Sequence, residues 1–196
     1  MSVRSFILLG MVFFLFGCGN NKVVVYPASQ VCVIPCKVEK LDSATKNSYL
    51  TAVNKMRADP RQCGTKTYRT AKPFVWNEAL YKASYEHSKD MALCNYFSHK
   101  GSGLQSDWTA EKQKLGRCST LINRIENNGY GRYGGLAENI AYGAKSVEKV
   151  MQQWINSDGH CKNIMNPKFT DFGMAKVVSE NGTVYWTQNF GKQMAR

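Results

Sequence analysis

The stretch Phe172-Gly173-Met174-Ala175-Lys176-Val177-Val178, the four residues Ser179-Glu180-Asn181-Gly182, and the run Thr183-Val184-Tyr185-Trp186-Thr187-Gln188-Asn189-Phe190 decide the class of fold. Apolar, β-branched and aromatic residues crowd both flanks, and Asn-Gly between such runs is a strong hairpin signal. Two strands are predicted, Phe172–Val178 and Thr183–Phe190. Upstream of them the period becomes helical. Leu50, Val53 and Met56 recur at a spacing of three within a helix over 43–58, capped by Asp42 or Ser43 and ended by Asp59-Pro60. Asn77 is a natural N-cap for a second helix reaching about residue 94, with Leu80, Ser84, His87 and Met91 on one face. Leu121, Ile122 and Ile125 mark a shorter helix over 119–128. Ser146 caps a fourth, striped by Val147, Val150, Met151 and Trp154. A short strand is expected near Ile140. Helices first and antiparallel strands late make an α+β fold, helices packed on the sheet faces. Trp76, Trp154, Trp186, Phe172 and Phe190 read as packing residues.

The N-terminus carries different information. Residues 1–17 read as a signal peptide: Arg4 is the positive end and Phe6 to Phe16 the apolar run, too short to span a bilayer. Leu15-Phe16-Gly17-Cys18 resembles a bacterial lipobox, which would make Cys18 the lipidated N-terminus and tie the protein to a membrane. An ordinary cleaved leader and a secreted product are the alternative. Residues 18–40, with Asn20-Asn21, Pro27 and Pro35, read as a tether, and residues 41–196 as one folded domain. The chain has 26 Lys and Arg against 14 Asp and Glu, a net charge of +12. That balance favours acidic partners. The basic residues are scattered, though, and no nucleic-acid motif accompanies them, which argues against nucleic acid.

Export implies an oxidising compartment. Besides Cys18 there are Cys32, Cys36, Cys63, Cys94, Cys118 and Cys161, an even set that suggests disulfides whose pairing spacing alone leaves open. A zinc cluster built from them is disfavoured, since the chain has no C-x-x-C pair and only three histidines.

Several segments occur in a telling order: Trp76-Asn77-Glu78-Ala79-Leu80 with His87 and Asp90-Met91-Ala92; Tyr96-Phe97-Ser98-His99; Gly129-Tyr130 and Ala137-Glu138-Asn139-Ile140-Ala141; then Trp154, Ser157, Gly159-His160-Cys161, Asn163-Ile164-Met165, Pro167, Phe169-Thr170 and Gly173. Tyr185-Trp186-Thr187-Gln188 and Phe190-Gly191 close the series. Together, over residues 43–191, they resemble the bacterial branch of the CAP superfamily, the cysteine-rich secretory proteins, antigen 5 and pathogenesis-related 1 proteins that share the SCP domain. The resemblance implies an α-β-α sandwich with a central, mostly antiparallel sheet. It also implies a cleft holding two His and, in its fuller form, two Glu. By position these are His99, His160 and Glu138, with Ser157 where the second Glu would stand. It further suggests a Cys63–Cys161 bridge. Cys94 and Cys118 flank the polar stretch 101–118 and could close it, leaving Cys32 with Cys36. That stretch could be a lid over the cleft or a disordered surface insert.

Two imidazoles and a carboxylate allow several chemistries. His99, His160 and Glu138 could hold Zn²⁺ and acidify a bound water for hydrolysis. Alternatively, Glu138 orients one His by accepting its N–H, and the cleft is a recognition site. Glu138 could also be purely structural. Ser98 and Ser157 are nucleophiles by type only, without a nucleophile elbow. His87, on an apolar stripe, reads as a packed core residue. His160, after Asp158-Gly159, reads as lying in a turn. The expectation is an envelope-anchored binding module for a lipid, glycan or protein ligand, requiring no cofactor. The alternatives are a metal-dependent, peptidase-like hydrolase or a structural envelope protein with a vestigial site.

Overall fold

The computed structural model describes residues 37–194. The signal peptide, Cys18, Cys32, Cys36 and most of the tether lie outside the described residues. Among the described residues are six helices, α1 (Ser43–Arg57), α2 (Glu78–Cys94), α3 (Trp108–Lys112), α4 (Leu121–Asn127), α5 (Val147–Ile155) and α6 (Asp158–Met165), with strands β1 (Arg61–Cys63), β2 (Lys66–Tyr68), β3 (Val75–Trp76), β4 (Tyr133–Tyr142), β5 (Asp171–Val178) and β6 (Val184–Gln193). The N-terminal caps follow the chemistry of the residues there. Asp42 accepts from Thr45 N, Asn77 from Ala79 N and Leu80 N, Thr120 from Asn123 N and Ser146 from Lys149 N.

The main sheet runs β3-β5-β6-β4, with β3 parallel to β5 and the other pairs antiparallel; β1 and β2 form a separate small hairpin. The strand period of two sorts side chains onto two faces. On one face Phe172, Met174, Trp186 and Phe190 meet Tyr49 and Val53 of α1, Val150, Met151 and Trp154 of α5, and Ile164 and Met165 of α6. On the other, Ala175, Val177, Tyr185 and Ile140 meet Tyr81, Tyr85 and Met91 of α2. The result is an α-β-α sandwich. At Gly173 the backbone of α2 comes so near that an added Cβ would overlap Tyr81 N and Leu80 C.

Two fastenings hold the layer of α1, α5 and α6. Cys63 and Cys161 are bridged, their Cα atoms 5.4 Å apart across a sequence separation of 98. The buried Arg57 guanidinium donates to the carbonyls of Lys72, Ile164, Asn166 and Phe169 and lies over the Phe74 ring.

Two expectations differ from the structure. His160 is not in a turn: it sits on α6, where Cys161, Ile164 and Met165 supply the buried face and Asp158 a favourable charge in the first turn. The stretch 101–118 is neither lid nor solvated insert. It is folded against the end of α2 by two carboxylates. Asp90 accepts from Ser102 N, Ser102 Oγ and Ser106 Oγ, and Asp107 accepts from Gly103 N, Ala110 N and Ser119 N. At its two ends, Cys118 is disulfide-bonded, and the Cys94 sulfur lies 2.9 Å from Ser106 Oγ and 3.9 Å from Asp90 Oδ1.

Candidate functional site

The site forms at the open edge of the sheet. Strand β4 is the last in the order, so only one of its edges pairs. Its outward carbonyls are covered by side chains from the neighbouring helices: Asn163 Nδ2 donates to Glu138 O at 3.3 Å and Trp154 Nε1 to Ile140 O at 3.1 Å. Beside this edge, the loop leaving α2 and the first turns of α6 come together from opposite layers. They leave a cleft of about 450 Å³ lined by Phe97, Ser98, His99, Lys100, Ile140 and His160.

Glu138 is the hub behind the cleft. Its side chain is 2% exposed. Alternation places Asn139 toward α6, where its Nδ2 donates to His160 O, and Glu138 toward α2. Each carboxylate oxygen is taken. Oε1 accepts from His99 Nδ1 at 2.9 Å, and Oε2 accepts from Arg124 Nη2 at 2.9 Å. With its amide turned to suit its neighbours, Asn189 adds a second donor to Oε2 at 3.3 Å while accepting from Ser84 N. Burial by itself would raise the Glu138 pKa. The Arg124 charge and the His99 hydrogen bond overcome it and hold the pKa at about 2. The carboxylate is therefore ionised and acts only as an acceptor, so His99 must carry its proton on Nδ1. Its Nε2 is left without that carboxylate's engagement, on a ring that is 59% exposed.

Arg124, on α4, is as buried as Glu138 and donates also to Ser119 O, Ser119 Oγ and His99 O. It thus grips both the carboxylate and the backbone of the His99 loop. Sequence reading passed over it. A cation between the apolar positions Leu121 and Ile125 was the available signal, because a buried Arg needs an acid partner.

His87 lies beneath this arrangement, fully buried, with Nε2 2.8 Å from Ser98 O and 3.9 Å from Glu138 Oε1. A carbonyl only accepts, so Nε2 is the protonated nitrogen, and Nδ1 has no partner among the described residues. Burial, reinforced by Arg124, lowers the His87 pKa to about 3, and the ring is neutral. As expected His87 is a core residue, but one that props the Ser98–His99 turn. His160 is half-buried, and burial and then His99 lower its basicity.

The structure brings His99, His160 and Glu138 together and leaves Ser157 aside. Ser157 occupies the N-cap position of α6, makes no side-chain capping bond and is not among the cleft-lining residues. Asp158 is exposed, its carboxylate against Gly64. A His₂Glu zinc site does not fit this donor set. Glu138 is buried with His99 and Arg124 on its two oxygens, and among the described residues no three His, Cys, Asp or Glu side chains are grouped to hold a metal. Among those residues no helix is long and apolar enough to cross a membrane.

The model of the cysteine-rich secretory protein (CAP) family matches residues 50–190. Uncharacterized protein YkwD of Bacillus subtilis is 38% identical over 119 residues, 61% of this chain and 39% of that protein. Uncharacterized membrane protein YlbC of the same organism is 30% identical over 118 residues, 60% of this chain and 28% of that protein. The chain thus spans well under half the length of the curated relatives it matches. Among solved structures, an outer surface protein from Borrelia burgdorferi superposes with a TM-score of 0.58 at 16% identity, covering 81% of this chain and 100% of that one. An extracellular SCP-domain protein from Bacillus anthracis superposes with a TM-score of 0.53 at 23% identity, over 80% of this chain and 45% of that one. At such identities these two likenesses concern the fold.

Proposed function

Because this chain belongs to the cysteine-rich secretory protein (CAP) family, we propose that it is an exported, envelope-anchored binding protein whose cleft captures a ligand through His99 and His160. One observation carries the reading: Glu138 is buried behind the cleft, with His99 on one oxygen and Arg124 on the other, so the carboxylate positions His99 rather than facing the cleft itself. Two imidazoles from different layers remain at the cleft as hydrogen-bonding groups. A metal-dependent hydrolase would need a third ligand and an activated water, and Ser157, where a second Glu would stand, supplies neither. Anchoring through a lipid on Cys18 fits the lipobox-like Leu15-Phe16-Gly17-Cys18 and the +12 charge, which favours an acidic surface nearby. The outer-surface and extracellular proteins of the same fold are in keeping with export.

The experiment is sedimentation of the purified protein with isolated bacterial envelopes, beside release of dye from labelled peptidoglycan and labelled casein. Retention in the envelope pellet that falls in a His99→Ala/His160→Ala variant, without dye release by either protein, is expected. Dye release that a chelator abolishes and Zn²⁺ restores would overturn the binding reading in favour of hydrolysis.

A further inference from the structure

The cleft has a chemically distinct end. Phe97 and Tyr142 are large aromatics left 45% and 57% exposed, with ring centroids 4.8 Å apart. Tyr142 stands two residues after Ile140 on β4, and so on the same face, which extends the lining of the cleft. Behind it the buried Tyr185 stacks at 6.4 Å and is itself tied by its hydroxyl to Asn95 Oδ1. The pair is thus a braced aromatic corner, its rings inclined at 58°, beside polar groups. His99, whose ring Glu138 orients through Nδ1, and His160 supply the polar groups, and Lys100 adds one positive charge to the lining.

Three occupants can be compared against this surface. An extended peptide adding to β4 would need its outward carbonyls, but Glu138 O and Ile140 O are already taken by Asn163 and Trp154. An acyl chain needs an enclosed cavity, whereas this cleft is open, with His99, His160 and Lys100 in its wall. A sugar ring presents an apolar C–H face to an aromatic ring and hydroxyls at its edge to hydrogen-bonding groups. We propose that the cleft takes a glycan chain bearing acidic substituents, with one sugar ring on the face of Tyr142 beside Phe97, hydroxyls hydrogen-bonded to His99 and His160, and an acidic group at Lys100. This rests on the binding-protein reading and names its ligand.

The test is calorimetric titration of the purified protein with a peptidoglycan tetrasaccharide of alternating N-acetylglucosamine and N-acetylmuramic acid, whose lactyl groups carry carboxylates. Chitotetraose is the uncharged comparator. The acidic tetrasaccharide is expected to bind more tightly than chitotetraose. Phe97→Ala and Tyr142→Ala, both at exposed positions, should each weaken binding roughly 2- to 12-fold. Lys100→Gln should bring the affinity for the acidic tetrasaccharide down to that for chitotetraose. Absence of heat with both saccharides at millimolar concentration overturns the proposal, and so does binding that a Phe97→Ala/Tyr142→Ala variant retains in full. Phosphatidylglycerol vesicles and an oligothymidylate are titrated in parallel. If either binds in place of the saccharides and His99→Ala/His160→Ala abolishes it, the glycan assignment falls and the binding cleft stands. If no probe binds, both fall.

Discussion

Replacing Arg124 with Met tests the buried arrangement behind the cleft most directly. The guanidinium is 1% exposed, and its loss strands Glu138 Oε2 and the carbonyls of Ser119 and His99 together. Breaking a buried pair by removing one partner costs about 3–5 kcal/mol, since the remaining charge has no compensation. For a domain of about 150 residues each kcal/mol moves Tm by roughly 2–4 °C, so a fall of about 6–20 °C is expected. Glu138→Gln removes the other partner. Its amide cannot accept on both sides, so one of His99 and Arg124 is left facing an N–H, and a similar loss follows. The informative quantity is the double variant. With both charges gone, neither is stranded, and its loss should be smaller than the sum of the singles by about 1–3 kcal/mol. Urea denaturation at pH 7 of the four proteins measures this. Single losses below about 1 kcal/mol, or losses that simply add, would refute the claim that Arg124 and Glu138 form one desolvated unit.

Other outcomes follow from the same structure. His87 has a folded pKa of about 3 against an ordinary 6.5, so the unfolded chain takes up the proton first. Stability should fall by up to about 1.4 kcal/mol per pH unit from this group as pH drops from 6.5 toward 3, and His87→Gln should flatten that slope above pH 4.5 in pH-dependent urea melts. His160, also depressed, adds a fall of the same sign that the variant keeps. Glu138, at about 2 against 4.5, loses its own contribution only below pH 4.5, so a Glu138 variant should flatten the acid limb in addition to its loss at pH 7. Cys161→Ser opens a loop of 98 residues and should cost roughly 4–5 kcal/mol by thermal melting, while reduction of the wild type, which also breaks the bond at Cys118, should shift it further. Gly173→Ala forces α2 off β5 and should cost about 2–4 kcal/mol, whereas Gly131→Ala, with open space around it, should be near neutral. Metabolic labelling with radioactive palmitate should mark the protein expressed in a bacterial host, and Cys18→Ser should abolish the label. Unchanged label would show that Cys18 is not the acceptor.

Local rules determined much of this protein. Asp42, Asn77 and Ser146 start their helices where a capping side chain must accept an orphan N–H, and Asn181-Gly182 turns β5 into β6. The order of His99, Glu138 and His160 among aromatic and glycine landmarks pointed to one family and one cleft. The helix α6 was hidden because Asp158-Gly159 reads as a turn in isolation, and its stability comes from Cys161, Ile164 and Met165 reaching a core that sequence does not display. The strands β1, β2 and β3 were too short for any period to register.

Charge pairing was decided by tertiary structure alone. Arg124 and Glu138 are 14 residues apart on different elements, and nothing in either local sequence says that they meet. Only their packing behind β4 makes the carboxylate an ionised acceptor, fixes the proton of His99 on Nδ1 and takes Glu138 out of reach of the cleft. The same holds for the insert at 101–118, which Asp90 and Asp107 fold down from α2 and from within the loop itself. Short-range sequence specifies where a chain bends and which faces are apolar, because capping and periodicity are local. Which polar groups lose their water together is a property of long-range packing, and that desolvation sets their charge and their partners.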